Sequence, residues 1–129
     1  MNYDHFVGQV QNRCRLASKG EAVAAIRSTL MTLSERLFGD EVDHLVAQLP
    51  TEIGWYMKQV TDKEKFGINE FFKRVSEKEG ADLPDSVFHA QIVIEVVREA
   101  VAPGEVDDIR QQLPDEFARL FEGPQRVKA

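Results

Sequence analysis

The amino-acid sequence predicts an all-α fold: two tandem four-helix repeats packed as one pseudo-two-fold helical bundle. Three observations carry that prediction. The chain matches itself at a nearly fixed offset. Apolar residues in both copies recur at i, i+3, i+4, i+7, the face of an amphipathic helix. No segment alternates cleanly at period two, as a half-buried strand would. Residues 42–53 align with 106–117 at an offset of 64, with six of twelve positions identical. Upstream at the same offset, Val23, Ile26, Leu30, Leu33 and Leu37 fall on Val87, Ala90, Ile94, Val97 and Val101. Further back the offset is 65, and Tyr3, Phe6, Val7 and Val10 fall on Ile68, Phe71, Phe72 and Val75.

Each repeat reads as four helices. The first is expected over about 4–13 and 69–79, capped by Asn2 or Asp4 in one copy and Asn69 in the other, with Gly80 as a C-terminal stop. The second is long, about 19–38 and 84–102. Ser18 and Glu21 have capping-box spacing at its start, and Gly39 ends it. In the second copy Asp82 and Pro84 mark the start and Pro103-Gly104 the end. The run Ile92-Val93-Ile94 with Val96-Val97 would suit a buried strand, but its counterpart lies in a clear helical stripe, so both are helical. The third helix is short, about 41–49 and 105–113, and stops at Pro50 or Pro114, because proline lacks an N–H and clashes with the preceding turn. The fourth, about 51–58 and 115–122, carries Glu52 or Glu116 in its first turn, where the helix dipole favours a carboxylate.

The 129 residues are expected to form a single domain, with repeat one at about 3–58, repeat two at about 68–122 and a short frayed tail. Each copy alone is small enough for burial to be marginal, so a shared core is preferred over two bundles on a tether. The connection at 58–65 is short and charged, without a flexible Gly/Ser tract.

The paired pattern of an aromatic first helix, a long second helix and a Q-L-P-x-E corner rests on Phe6 with Val10, Phe71 with Val75, and residues 48–52 and 112–116. It resembles the bacterial domain-of-unknown-function 2267 family over about residues 3–122. The resemblance implies a small, soluble, all-helical protein and carries over no catalytic residue.

Composition narrows the function classes. Hydrophobic residues make up 43% and charged residues 29%, values of a globular chain. The net charge of −6 removes the usual attraction to phosphates and anionic membranes, so no nucleic acid and no membrane partner is expected. The start MNYDHF lacks the pattern of a signal peptide, and a cytoplasmic location is expected. The excess acid of the second half, with Glu95, Glu99, Glu105, Asp107, Asp108, Asp115, Glu116 and Glu122, reads as a solvated face, or else as a docking surface for a basic partner.

No motif supplies chemistry. His5, His44 and His89 include no i, i+4 pair. Asp43 beside His44, and Asp107 beside Asp108, point about 100° apart on a helix and do not converge. Zinc would need three or four convergent ligands, so no metal and no cofactor is expected. Cys14 lies between Arg13 and Arg15, which would lower a thiol pKa, leaving a reactive thiol as an open reading.

The breaks in the repeat are more informative. Trp55 corresponds to Arg119 and Val46 to Arg110, and a position that tolerates arginine in one copy is exposed there. Trp55 and Val46 therefore either pack on Val60, Phe66 or the other half, or form an association patch with Tyr56. The leading expectation is a non-enzymatic protein-interaction or regulatory module, with a homodimer or another protein as partner. The alternative is a small apolar-ligand binder at the seam between repeats, with Phe72, Phe88 and Met57 as candidate walls. An enzyme of unrecognised type comes third.

Overall fold

A computed structural model describes residues 1–124. Eight α-helices and no strand occur among them. They are α1 (Tyr3–Cys14), α2 (Lys19–Arg36), α3 (Glu41–Gln48), α4 (Thr51–Lys58), α5 (Ile68–Glu79), α6 (Leu83–Ala100), α7 (Glu105–Gln111) and α8 (Ala118–Phe121), with a 3-10 turn at Asp115–Phe117 leading into α8. The all-α prediction holds. Residues 125–129, most of the predicted frayed tail, lie outside the described residues.

The helix ends follow local chemistry. Ser18 Oγ accepts the Glu21 N–H at 3.1 Å, while Glu21 Oε2 accepts the Ala17 N–H at 3.0 Å, closing the predicted box one residue early. Asp82 Oδ1 accepts the Asp85 N–H at 3.0 Å, and Pro84 sits in the first turn, where its missing N–H costs nothing. Asn2 caps α1 by accepting the His5 N–H at 2.8 Å. Asn69 is not the matching cap: α5 starts earlier, Gly67 occupies the cap position, and Glu116 Oε2 accepts the Ile68 N–H at 3.0 Å from across the structure. A Cβ on Gly67 would meet that oxygen at 3.0 Å, so a residue without a side chain admits the distant cap.

The other ends also repeat. α1 and α5 both close on a left-handed residue, Arg15 with φ 55° and Gly80 with φ 72°. α2 and α6 stop two residues short of the predicted ends, at the extended residues Leu37 and Val101. Gly39 therefore does not end α2; with φ 75° it turns the chain into α3, as Gly104 with φ 91° does into α7.

The core is continuous and draws on both halves, centred on Phe6, Ile26, Leu30, Leu33, Phe71, Phe72, Val93, Val97 and Phe117. α1 packs on α2 and α5 on α6; across the halves, α2 packs on α5 and α1 on α6. Exchanging the two halves maps these contacts onto one another. The middle of α6, residues 89–97, has every side chain buried or half-buried, while its ends are exposed. The connection after α4 is not helical. It is fastened along the end of α2: Glu64 N–H donates to Glu35 O at 2.9 Å, and Lys63 Nζ donates to Ser34 O at 2.6 Å. Arg74 reaches Glu35, Glu64 and Glu70 and lies 3.9 Å above the Phe66 ring centroid.

Candidate functional site

The Q-L-P-x-E corners place the side chains picked out by the breaks in the repeat. Pro50 stops α3, α4 starts at once, and Ile53 and Met57 face inward with no exposed surface. Residues two positions further round the helix must then face out. Trp55 is 56% exposed, and its ring stands edge-on to Tyr56 with centroids 5.9 Å apart and planes at 75°. Gln59 Nε2 donates to Trp55 O at 3.1 Å, tying down the last turn of α4. Val46 is different. It is half-buried, and a methyl on Gly54 would come within 3.1 Å of its Cγ1, so it packs beneath α4. Of the three predicted surface residues, Trp55 faces solvent, Tyr56 is half-buried beside it, and Val46 supports the helix that carries them.

The second corner uses the same positions internally. Arg119 Nη1 donates to Asn69 Oδ1 at 3.1 Å, with its guanidinium 5.3 Å from the Phe72 ring centroid. Arg110 pairs with Glu122 at 3.6 Å. Much of the acid of this half is likewise engaged. Arg13 binds Glu99 with both terminal amino groups, one at 2.8 Å, and reaches Glu95 at 3.5 Å; Arg98 pairs with Asp107 at 2.8 Å.

The search for chemistry has three outcomes. Cys14 is buried, and its thiol is pushed up to about 12 by desolvation first and by Glu79 and Glu95 second. Arg13 turns away to the glutamates, so the reading of a thiol activated by its arginine neighbours is overturned. His89 Nδ1 lies 2.6 Å from Glu79 Oε2, and Ser86 Oγ donates to Glu79 Oε1 at 2.9 Å, a sealed polar trio between α5 and α6. The hydrogen bond to Glu79 raises the His89 pKa against the opposing effect of burial. His5 and His44 are exposed.

His44 is brought together with carboxylates other than Asp43. It meets Glu41 on its own helix and Glu105 at the start of α7, with ligand atoms within 4.8 Å of one another. These three residues could hold a cation. Glu41 also accepts from Gln112 Nε2 at 2.8 Å, while the buried Glu105 Oε1 has no hydrogen-bond partner among the described residues. The sequence offered one signal, the i, i+3 spacing of Glu41 and His44; Glu105 is the repeat counterpart of Glu41 and arrives only through tertiary packing. The three candidate walls of an apolar pocket are not all free to line one. Met57 and Phe72 are sealed in the core and Phe88 is 36% exposed. No helix among the described residues is long and apolar enough to cross a membrane.

Residues 3–120 match the family described as uncharacterized conserved protein (DUF2267). Comparison with the curated proteins gives no match.

Proposed function

The chain belongs to that family, and from this premise we propose that it is a non-enzymatic protein-interaction module whose contact face is the outer side of α4. The observation that carries the reading is Trp55. The largest apolar side chain in the sequence is 56% exposed on a helix held rigidly from beneath by Ile53, Met57 and Val46. Aromatic residues presented this way dominate interface energetics, because they bury much area and lose few rotamers. The equivalent Arg119 is spent on Asn69 and Phe72, so the second half offers no such face. The partner is a second copy of the chain or another protein with an apolar recess.

Trp55 is the chain's single tryptophan, so its emission reports on α4 alone. Sedimentation velocity across a concentration series is expected to show self-association that blue-shifts this emission. Trp55→Ala should leave helical content and stability within about 0.5 kcal/mol of wild type. It should weaken association by about 2 kcal/mol, roughly thirtyfold. If the protein is monomeric throughout, a photo-crosslinker at position 55 tests a different protein as partner in the source cell. Association unaffected by Trp55→Ala, or no crosslink beyond that of a probe on a polar helix face, refutes the reading.

A further inference from the structure

α2 ends on a cation where α6 ends on Ala100, and Arg36 is only 7% exposed. A guanidinium carries five N–H donors and stays charged. Arg36 Nε donates to Phe66 O at 2.8 Å, and the guanidinium carbon lies 5.4 Å from the Phe117 ring centroid. Its two terminal amino groups find no hydrogen-bond or salt-bridge acceptor among the described residues. Glu116 acts on it only through space, since that carboxylate is committed to the Ile68 N–H. Desolvation accordingly lowers the Arg36 pKa, with Glu116 opposing. Neither amino group is among the buried atoms left without a partner, so both open to solvent, where a bound anion can take the place of water in a charge-assisted hydrogen bond.

Arg36 lines a cleft of about 720 Å³ where the end of α2 meets the second Q-L-P-x-E corner. Lys65 supplies a second cation at its wall, and Phe38, Leu113 and Pro114 supply apolar surface. Phe38 is 43% exposed, so part of that surface is open to a ligand. The volume is that of a small-molecule site. We propose that this cleft binds a small monocarboxylic acid, its carboxylate on the Arg36 fork with Lys65 as second cation, and its apolar body against Phe38 and Leu113. One negative charge is preferred over two because Glu116 already offsets part of the positive potential. A guanidinium fork also matches a planar carboxylate in two parallel hydrogen bonds. The site shares no residue with the α4 face, so either reading can fail without the other.

Titration of the ¹⁵N-labelled protein with octanoate tests it, with octan-1-ol and inorganic phosphate as matched probes. Octanoate should shift the amides of Phe38, Lys65 and Gln112 with a Kd at or below about 1 mM. Octanol, lacking the charge, and phosphate, lacking the apolar body, should each bind at least about tenfold more weakly. Arg36→Gln should abolish the shifts. Should that variant not fold, Lys65→Gln, which alters only an exposed side chain, should weaken octanoate by about threefold or more while leaving the remaining spectrum in place. The proposal is overturned by the absence of saturable shifts, by octanol or phosphate matching octanoate, or by octanoate binding unchanged in Lys65→Gln.

Discussion

The junction between first and second helices is built twice in this molecule, with opposite chemistry. In the second half it holds Glu79, Ser86 and His89, joined by hydrogen bonds of 2.6 and 2.9 Å. The equivalent positions in the first half are Cys14, Ala22 and Ala25, all buried and apolar. The helices around them keep the same lengths, 12 and 18 residues in each half. Helix pairs of matching length thus accommodate either a hydrogen-bonded polar trio or an apolar contact at this junction. The trio's energetic meaning lies in the coupling between its members.

The largest expected effect comes from breaking that coupling. His89→Leu strands a buried carboxylate whose side chain is 6% exposed, and should cost about 3 kcal/mol. The double variant Glu79→Met/His89→Leu removes both charges at similar volume and should recover most of the loss, as the apolar first half implies. Urea unfolding of the two single variants and the double closes the cycle. If the double variant is as unstable as the singles combined, the pair is not coupled and the comparison between halves has no energetic content.

The pH dependence sharpens the same point. The Glu79 hydrogen bond raises the folded pKa of His89 above its ordinary value, with Asp85 and Asp82 adding to the effect and burial opposing it. The folded state therefore binds the proton more tightly than the unfolded chain. This contribution is complete below about pH 6.5 and is lost as pH rises through the raised value. Cys14, which also faces Glu79, stays protonated across the window because its thiol is pushed up to about 12. Unfolding free energy measured from pH 6 upward should fall in wild type, and fall less in Glu79→Met/His89→Leu. Equal slopes would show that His89 does not carry the effect.

What was legible in the sequence divides along the same line. Stripes such as Phe6-Val7-Val10 and Phe71-Phe72-Val75 reveal helices because burial imposes the helical period on consecutive residues. Ser18 and Asp82 reveal starts because a cap acts over three residues. The mismatch of Trp55 with Arg119 marked that position as special but left packing and exposure both open; only the structure places it on the surface. The His89–Glu79 pair, the meeting of Glu41 and His44 with Glu105, and the buried Arg36 were not legible. Each depends on side chains from different helices, and polar residues obey no period that would betray their partners. The corner at 115–121 was misread as one regular helix for the related reason that its 3-10 start is set by tertiary packing of Phe117, which stands edge-on to Phe71 at 5.9 Å.

The smallest expected effect concerns the glutamate shared by both corners. Glu116 and Glu52 occupy the same motif position, and sequence alone gives them one role, a carboxylate favoured by the dipole of its own short helix. The structure separates them. Glu116 reaches past Gly67 to cap α5, while Glu52 makes no hydrogen bond or ion pair among the described residues, because α1 already has Asn2 as its cap. Glu116→Ala should therefore cost about 1 kcal/mol, the usual loss of a helix cap. Glu52→Ala should stay within about 0.5 kcal/mol of wild type. Amide exchange locates the difference: Glu116→Ala should lower protection in the first turn of α5, and Glu52→Ala should leave the first turn of α1 unchanged. Equal losses from the two variants would restore the single shared role and remove the cap from the account of α5.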